Sequence, residues 1–189
     1  MFIADSHNHL HFHAFCNDLA DVIARAHSSG VDRMLLVGID PLDSKRALEL
    51  SSSNDGFYVS IGIHPQQSEE FNSADVLNLY ELALSTKAVA IGETGFDLFR
   101  SPETVDKQKE MFESHIELAR KLSLPLVIHD REAHEMTLSV LDRTEAWSLG
   151  GVFHCFSGDA RMASYILDHG FFISIPGVVT YKNAPVLKE

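Results

Sequence analysis

A chain of 189 residues with 45% hydrophobic content can bury the core of one domain, possibly two, and no run in it approaches the ~20 apolar residues of a membrane span. Its formal net charge of −12 speaks against a protein that coats nucleic acid through a broad basic face, though not against a nuclease whose divalent cations attract phosphate locally. Two cysteines, Cys16 and Cys155, are too few for a disulfide framework and are expected to be small buried apolar residues in a reducing compartment. Nothing at the N-terminus marks the chain for export, so the expected location is the cytoplasm.

The first apolar run, FIAD at 2–5, leads straight into DSHNHLHFH at 5–13. If that stretch continues as a strand, the period of two puts Asp5, His7, His9, His11 and His13 on one face. A bare His-x-His is weak evidence of a metal site, and surface histidines or an artificial tag are the competing explanations. Next comes DLADVIARAHSSG from Asp18, which sets Leu19, Val22, Ile23 and Ala26 on one helical stripe and ends at Gly30. Strand-like runs follow at 33–39 (RMLLVGI), 58–63 (YVSIGI) and 88–92 (AVAIG). Residues 74–86 read as a helix, as do 104–123, with Phe112, Ile116, Ala119 and Leu122 on one side and Pro125 as the stop. LPLVIH at 124–129, a helix over 132–145, GVFHCF at 151–156 and FFISI at 171–175 complete the series.

Continuous Val, Ile and Leu strands alternating with helices indicate an α/β fold with a parallel sheet covered on both faces, either a TIM-type (β/α) barrel or a doubly wound sheet. A doubly wound sheet usually offers a glycine-rich first turn, and none follows FIAD. In a barrel, reactive residues gather at the carboxyl ends of several strands. His7 and His9, His64, Glu93, His129 and His154 all stand at such positions, which favours the barrel. Taken singly, each is more often structural than a ligand; five or six at one end suggest a divalent-metal site with a bridging carboxylate. His27, His115, His134 and His169 fall on helices or their ends, and His11 and His13 run past the strand, so all six are expected to be exposed or structural.

DSHNH, GIHP at 62–65, GETGFD at 92–97, PLVIHDR at 125–131 and HCFSG at 154–158 together resemble the motif set of the TatD-type metal-dependent deoxyribonucleases, in the family's order. SIPGVVTYKNA at 174–184 resembles the family's seventh-strand segment. The resemblance implies two divalent metal ions (Mg, Mn or Zn): His7 and His9 on one, His129 and His154 on the other, and Glu93 bridging. It also implies that His64 and Arg131 lie where a phosphate is held, and that the substrate is a DNA end or another phosphodiester. Arg100 and Lys182 are weaker phosphate candidates, better read as exposed charges. The backbone N–H groups after Ser157 and Gly158 could receive an oxyanion at a helix start.

The sequence departs from the family in one respect. Such barrels as a rule have eight strands and about 250 residues, whereas this chain stops at Glu189 after strand seven. The family's catalytic aspartate, which ligates the first metal from strand eight, is expected beyond Glu189. Asp97 belongs to the GFD motif, and Asp130 points away from His129 by strand alternation, so neither replaces it. The chain is thus expected to be one truncated barrel domain over 1–189 with open edges at strands one and seven and little nuclease activity. Two other readings remain: an amidohydrolase-like hydrolase of a small amide, ester or phosphotriester, disfavoured by Glu93 at the place of a bridging lysine, and a catalytically impaired metal-binding remnant.

Overall fold

The computed structural model describes residues 3–182. Its strands are β1 (Ile3–Asn8), β2 (Val31–Val37), β3 (Phe57–Ile61), β4 (Ala88–Asp97), β5 (Leu126–Arg131), β6 (Gly151–His154) and β7 (Phe172–Ile173). They pair in parallel and in chain order from β1 to β7, forming part of a TIM-type barrel wall with helices outside it. The helices are α1 (Leu19–Ser28), α2 (Pro41–Ser52), α3 (Ser73–Asn78), α4 (Tyr80–Ala83), α5 (Val105–Leu122), α6 (His134–Arg143) and α7 (Ala160–Asp168). A parallel sheet of this order carries every strand's carboxyl end to one rim, and that is what assembles the site.

The core lies between sheet and helices. Leu36, Phe57, Val59, Ile61, Ile91 and Ile128 from the strands meet Met111, Phe112, Ile116 and Ala119 from α5, all of them buried. Phe96 and Phe112 meet edge to face with centroids 5.7 Å apart. The stripe Leu19, Val22, Ile23 and Ala26 of α1 packs on the core as expected, although no residue of that helix is fully buried.

Several boundaries differ from the sequence expectation. Phe2 lies outside the described residues, as do the last two residues of SIPGVVTYKNA and Glu189. β1 runs on to Asn8, with a register shift between Asp5 and Asn8. β4 does not stop at Gly92 but continues to Asp97, so all of GETGFD is strand. The 74–86 helix is two short ones that share Leu79 as a cap. α5 ends before Pro125, at Ser123 in the left-handed conformation (φ 55°, ψ 42°). α2 has too few apolar residues for a clear stripe; its start is marked instead by the Asp40 side chain, which accepts from the Asp43 N–H, and by Pro41 in the first turn.

Both cysteines are exposed, contrary to expectation. Cys16 lies in the loop before α1. Cys155 follows the end of β6 with φ 50°, where its N–H donates to Ser174 Oγ. Among the described residues no helix is long and apolar enough to cross a membrane.

Candidate metal centre

Glu93 is the hub. Gly92 (φ 136°) and a register shift between Gly92 and Thr94 put an extra residue into β4 opposite β5, and such bulges re-aim a side chain. A side chain at Gly92 would meet Val127 O at 2.3 Å, so only glycine passes there. Ser60 Oγ donates to Gly92 O at 2.7 Å and ties the bulge to β3. Glu93 Oε2 lies 3.3 Å from His7 Nε2, and Oε1 lies 2.7 Å from His129 Nδ1 and 3.7 Å from His64 Nε2. Burial alone would raise the pKa of this carboxyl, but hydrogen bonds with His129 and His7 and the nearby His64 outweigh it and hold it well below the ordinary carboxylate value.

Two groups of donor atoms converge around it: His7, His9 and Glu93, and His64, Glu93 and His129. The ring of His154 stacks on His7 with centroids 3.4 Å apart. His154 thus sits in the same cluster, but against His7 and outside both groups. Nδ1 of His7 and Nδ1 of His154 are buried without a hydrogen-bond partner. Crowded imidazoles with unpartnered nitrogens around one carboxylate fit divalent cations, which take neutral imidazole and carboxylate donors.

Hydrogen bonds on the far side of each ring decide what the near side offers. His9 Nδ1–H donates to Val37 O at 2.8 Å, which leaves the Nε2 lone pair for a cation. Phe12 stacks on the same ring at 4.6 Å and fixes its plane. His64 is the opposite case. Its Nδ1 accepts from Gln66 N–H at 3.1 Å, so the neutral ring carries its proton on Nε2, which faces His129 Nδ1 at 3.2 Å. His64 therefore presents a donor rather than a lone pair. Burial lowers its pKa to about 4, and burial also lowers His154 to about 4, with help from His7. Burial likewise leads in lowering His9. For His129 burial works in the same direction but is outweighed by Glu93 and Asp97, so its pKa is raised.

Asp97, set aside in the sequence, stands in the cluster: its Oδ2 lies 3.2 Å from His129 Nε2. Gln66 donates to the same oxygen at 2.6 Å and Arg100 N–H donates to Oδ1 at 2.8 Å. Gln108 Oε1 accepts from the Asp97 N–H at 2.8 Å. Asp130 does turn away from His129, into a 2.9 Å contact with His134 Nδ1. Arg131 and Arg100 are exposed at the strand-end rim, and Lys182 is exposed near the end of the described residues. The oxyanion reading of α7 fails, because the Asp159 side chain already accepts from Met162 N–H and puts a carboxylate at that helix start.

The remaining histidines divide. His13, His27 and His169 are exposed. The His11 side chain is buried, with Nε2 2.9 Å from Asp43 Oδ2, an oxygen that also accepts from Ile39 N–H. Ile39 O in turn accepts from His64 N–H. His115, fully buried on α5, accepts from Ile63 N–H through Nε2 and donates from Nδ1 to Met111 O. His11 and His115 are thus struts beneath the loop that bears His64.

The sequence model described as "TatD related DNase" matches residues 4–189. The chain is 38% identical over 185 residues to the Bacillus subtilis protein "Uncharacterized metal-dependent hydrolase YabD", covering 98% of this chain and 72% of that one. It is 34% identical over 165 residues to "3'-5' ssDNA/RNA exonuclease TatD" of Salmonella typhimurium, covering 87% of this chain and 64% of that one. Among solved structures, YJJV, a TatD homologue from Escherichia coli, superposes with a TM-score of 0.88 at 28% identity, over 96% of this chain and 71% of that one.

Proposed function

From the premise that the chain belongs to the TatD-related DNase family, we propose that it is a metal-dependent phosphodiesterase acting on nucleic-acid strand ends. The observation that carries this reading is Glu93, whose two oxygens reach His7 on one side and His129 on the other. In the proposed assignment His7 and His9 would hold one divalent ion and His129 and His154 a second, with Glu93 common to both. Mg, Mn or Zn would each suit a mixed carboxylate and imidazole set. Bound there, such ions would lower the pKa of a water and offset charge on the attacked and leaving phosphoryl oxygens.

The chain's own groups account for the rest. His64, neutral at pH 7 and protonated on Nε2, donates a hydrogen bond to a non-bridging phosphate oxygen without adding fixed charge. Arg131 pairs with the phosphate from the rim as a planar two-pronged donor. Asp97 holds the His129 ring through Nε2, and Gln66 and Arg100 N–H hold Asp97. Because Val37 O fixes the His9 ring and Asp97 the His129 ring, little reorganisation of these two groups remains for the reaction to require.

The test is hydrolysis of end-labelled single-stranded DNA and RNA with Mg²⁺ or Mn²⁺, beside small carboxylic esters, amides and a phosphotriester, each with and without chelator. Metal-dependent release of nucleotides from one end, even at a low rate, is the expected result. Turnover of only the small esters, amides or phosphotriester would replace this reading with the amidohydrolase-like one.

A further inference from the structure

The loop after β4 holds an aromatic ring where the proposed chemistry has not yet used one. Phe99 is 50% exposed, so its ring is open to solvent. Arg131 lies over the ring at 4.2 Å and Arg100 at 5.5 Å. The stem of this loop is pinned on both sides of the turn: Leu98 N–H donates to Arg131 O at the end of β5 at 3.0 Å, and Arg100 N–H to Asp97 Oδ1 at 2.8 Å. Asp97 itself touches His129. An exposed ring with two guanidinium groups beside it is therefore held two residues from a group of the cluster.

We infer that Phe99, with Arg131 and Arg100, is the platform on which the base of an unpaired terminal nucleotide stacks while its phosphate lies over the metal centre. Every base has a π-face, and aromatic and guanidinium planes accept it with little regard to sequence. The neighbouring guanidiniums offer charge to the phosphate attached to the same nucleotide. A base inside a duplex has both faces occupied, so the platform favours single-stranded or frayed ends. It also supplies what the acidic chain lacks: local attraction for nucleic acid without a broad basic surface. Phe99 is thus a specificity-determining residue, and its role rests on the phosphodiesterase reading only for the identity of the nucleotide.

The experiment uses a single strand carrying 2-aminopurine at its 3′ end, with a phosphorothioate at the terminal linkage to slow hydrolysis, in Mg²⁺. Wild type should quench the 2-aminopurine and bind this probe about tenfold or more tighter than the same strand ending in an abasic site. Phe99→Ala should lose both the quenching and the preference, whereas Phe99→Trp keeps both. Circular dichroism of both variants should match wild type, since the ring is half in solvent. Equal quenching and preference in Phe99→Ala, or no affinity of wild type for the base-ended probe, would overturn the platform. If wild type quenches the probe yet never hydrolyses the unmodified strand, the phosphodiesterase reading fails while the platform stands.

Discussion

His115 links the fold to the site, and its protonation can be worked through. The ring is fully buried, Nδ1–H donates to Met111 O at 2.7 Å, and Nε2 accepts from Ile63 N–H at 3.0 Å. A proton on Nε2 would face the Ile63 N–H donor to donor in a site without water, and burial accordingly lowers the pKa from 6.5 to about 4. The folded value lies below the unfolded one, so the unfolded chain takes up the proton first as pH falls. The contribution is therefore fully present above 6.5 and is lost as pH falls towards 4. It amounts to roughly 3 kcal/mol in full and about 2 kcal/mol between pH 7.5 and pH 5. His115→Gln keeps an acceptor for Ile63 N–H but does not titrate. Urea unfolding of both proteins in chelator, at pH 7.5 and at pH 5, isolates the contribution of His115 because the other histidines titrate in both. The variant should be less stable by about 1 kcal/mol at pH 7.5 and should gain about 2 kcal/mol relative to wild type at pH 5. A stability gap that is the same at both pH values would refute the argument.

Glu93→Gln keeps the shape and removes the charge, so calorimetric titration with Mn²⁺ should show weaker binding at both ion positions; two tight ions in the variant would rule out the shared role. His7→Ala should lose bound metal, whereas His11→Ala should keep it and instead lose roughly 1–3 kcal/mol of stability, because Asp43 is left buried without its partner. Equal loss of metal, read by atomic absorption, would sink that distinction. Gly62→Ala would place a Cβ 2.4–2.7 Å from the Gly92 backbone, immediately before Glu93. It should cost about 3 kcal/mol or more, or prevent folding, and an unchanged denaturation midpoint would show that β3 and β4 can part without penalty.

The parts that could be read in the sequence are those where one chemistry dictates local pattern. Val, Ile and Leu runs must be strands of a covered parallel sheet, and their carboxyl ends must share a rim, so His7, His9, His64, Glu93, His129 and His154 were found together without knowledge of a single distance. Asp97 was set aside with its GFD motif, and nothing in the apolar pattern put it on the strand. Gly92 and Gly95 interrupt the apolar run, and glycines inside a strand pattern ordinarily weaken it. Here they are required by it: a Cβ on Gly95 would meet His129 O at 2.2 Å, as one on Gly92 would meet Val127 O. Read as close approaches to β5 rather than as a stop, the two glycines would have carried the strand through to Asp97, four residues beyond Glu93 and on the same side by alternation.

The tautomer of His64 illustrates the other kind of gap. GIHP says that a histidine follows β3, but whether it can ligate depends on the Gln66 N–H two residues on, which occupies Nδ1, while Ile39 O and His115 hold the backbone of this loop from two other segments. The long-range holds are encoded in no local pattern. The same holds for His11, expected to be exposed or structural where the His series runs past the strand, and found buried against Asp43 of α2. Ligand type is written in the strand ends, whereas ligand state is set by the neighbours that fix each ring. Donor and acceptor histidines in this cluster therefore separate by what lies behind them, and Gln66→Ala, which removes the donor to Asp97 Oδ2 but leaves the backbone N–H on His64 Nδ1, should loosen the hold on His129 and leave the His64 tautomer unchanged.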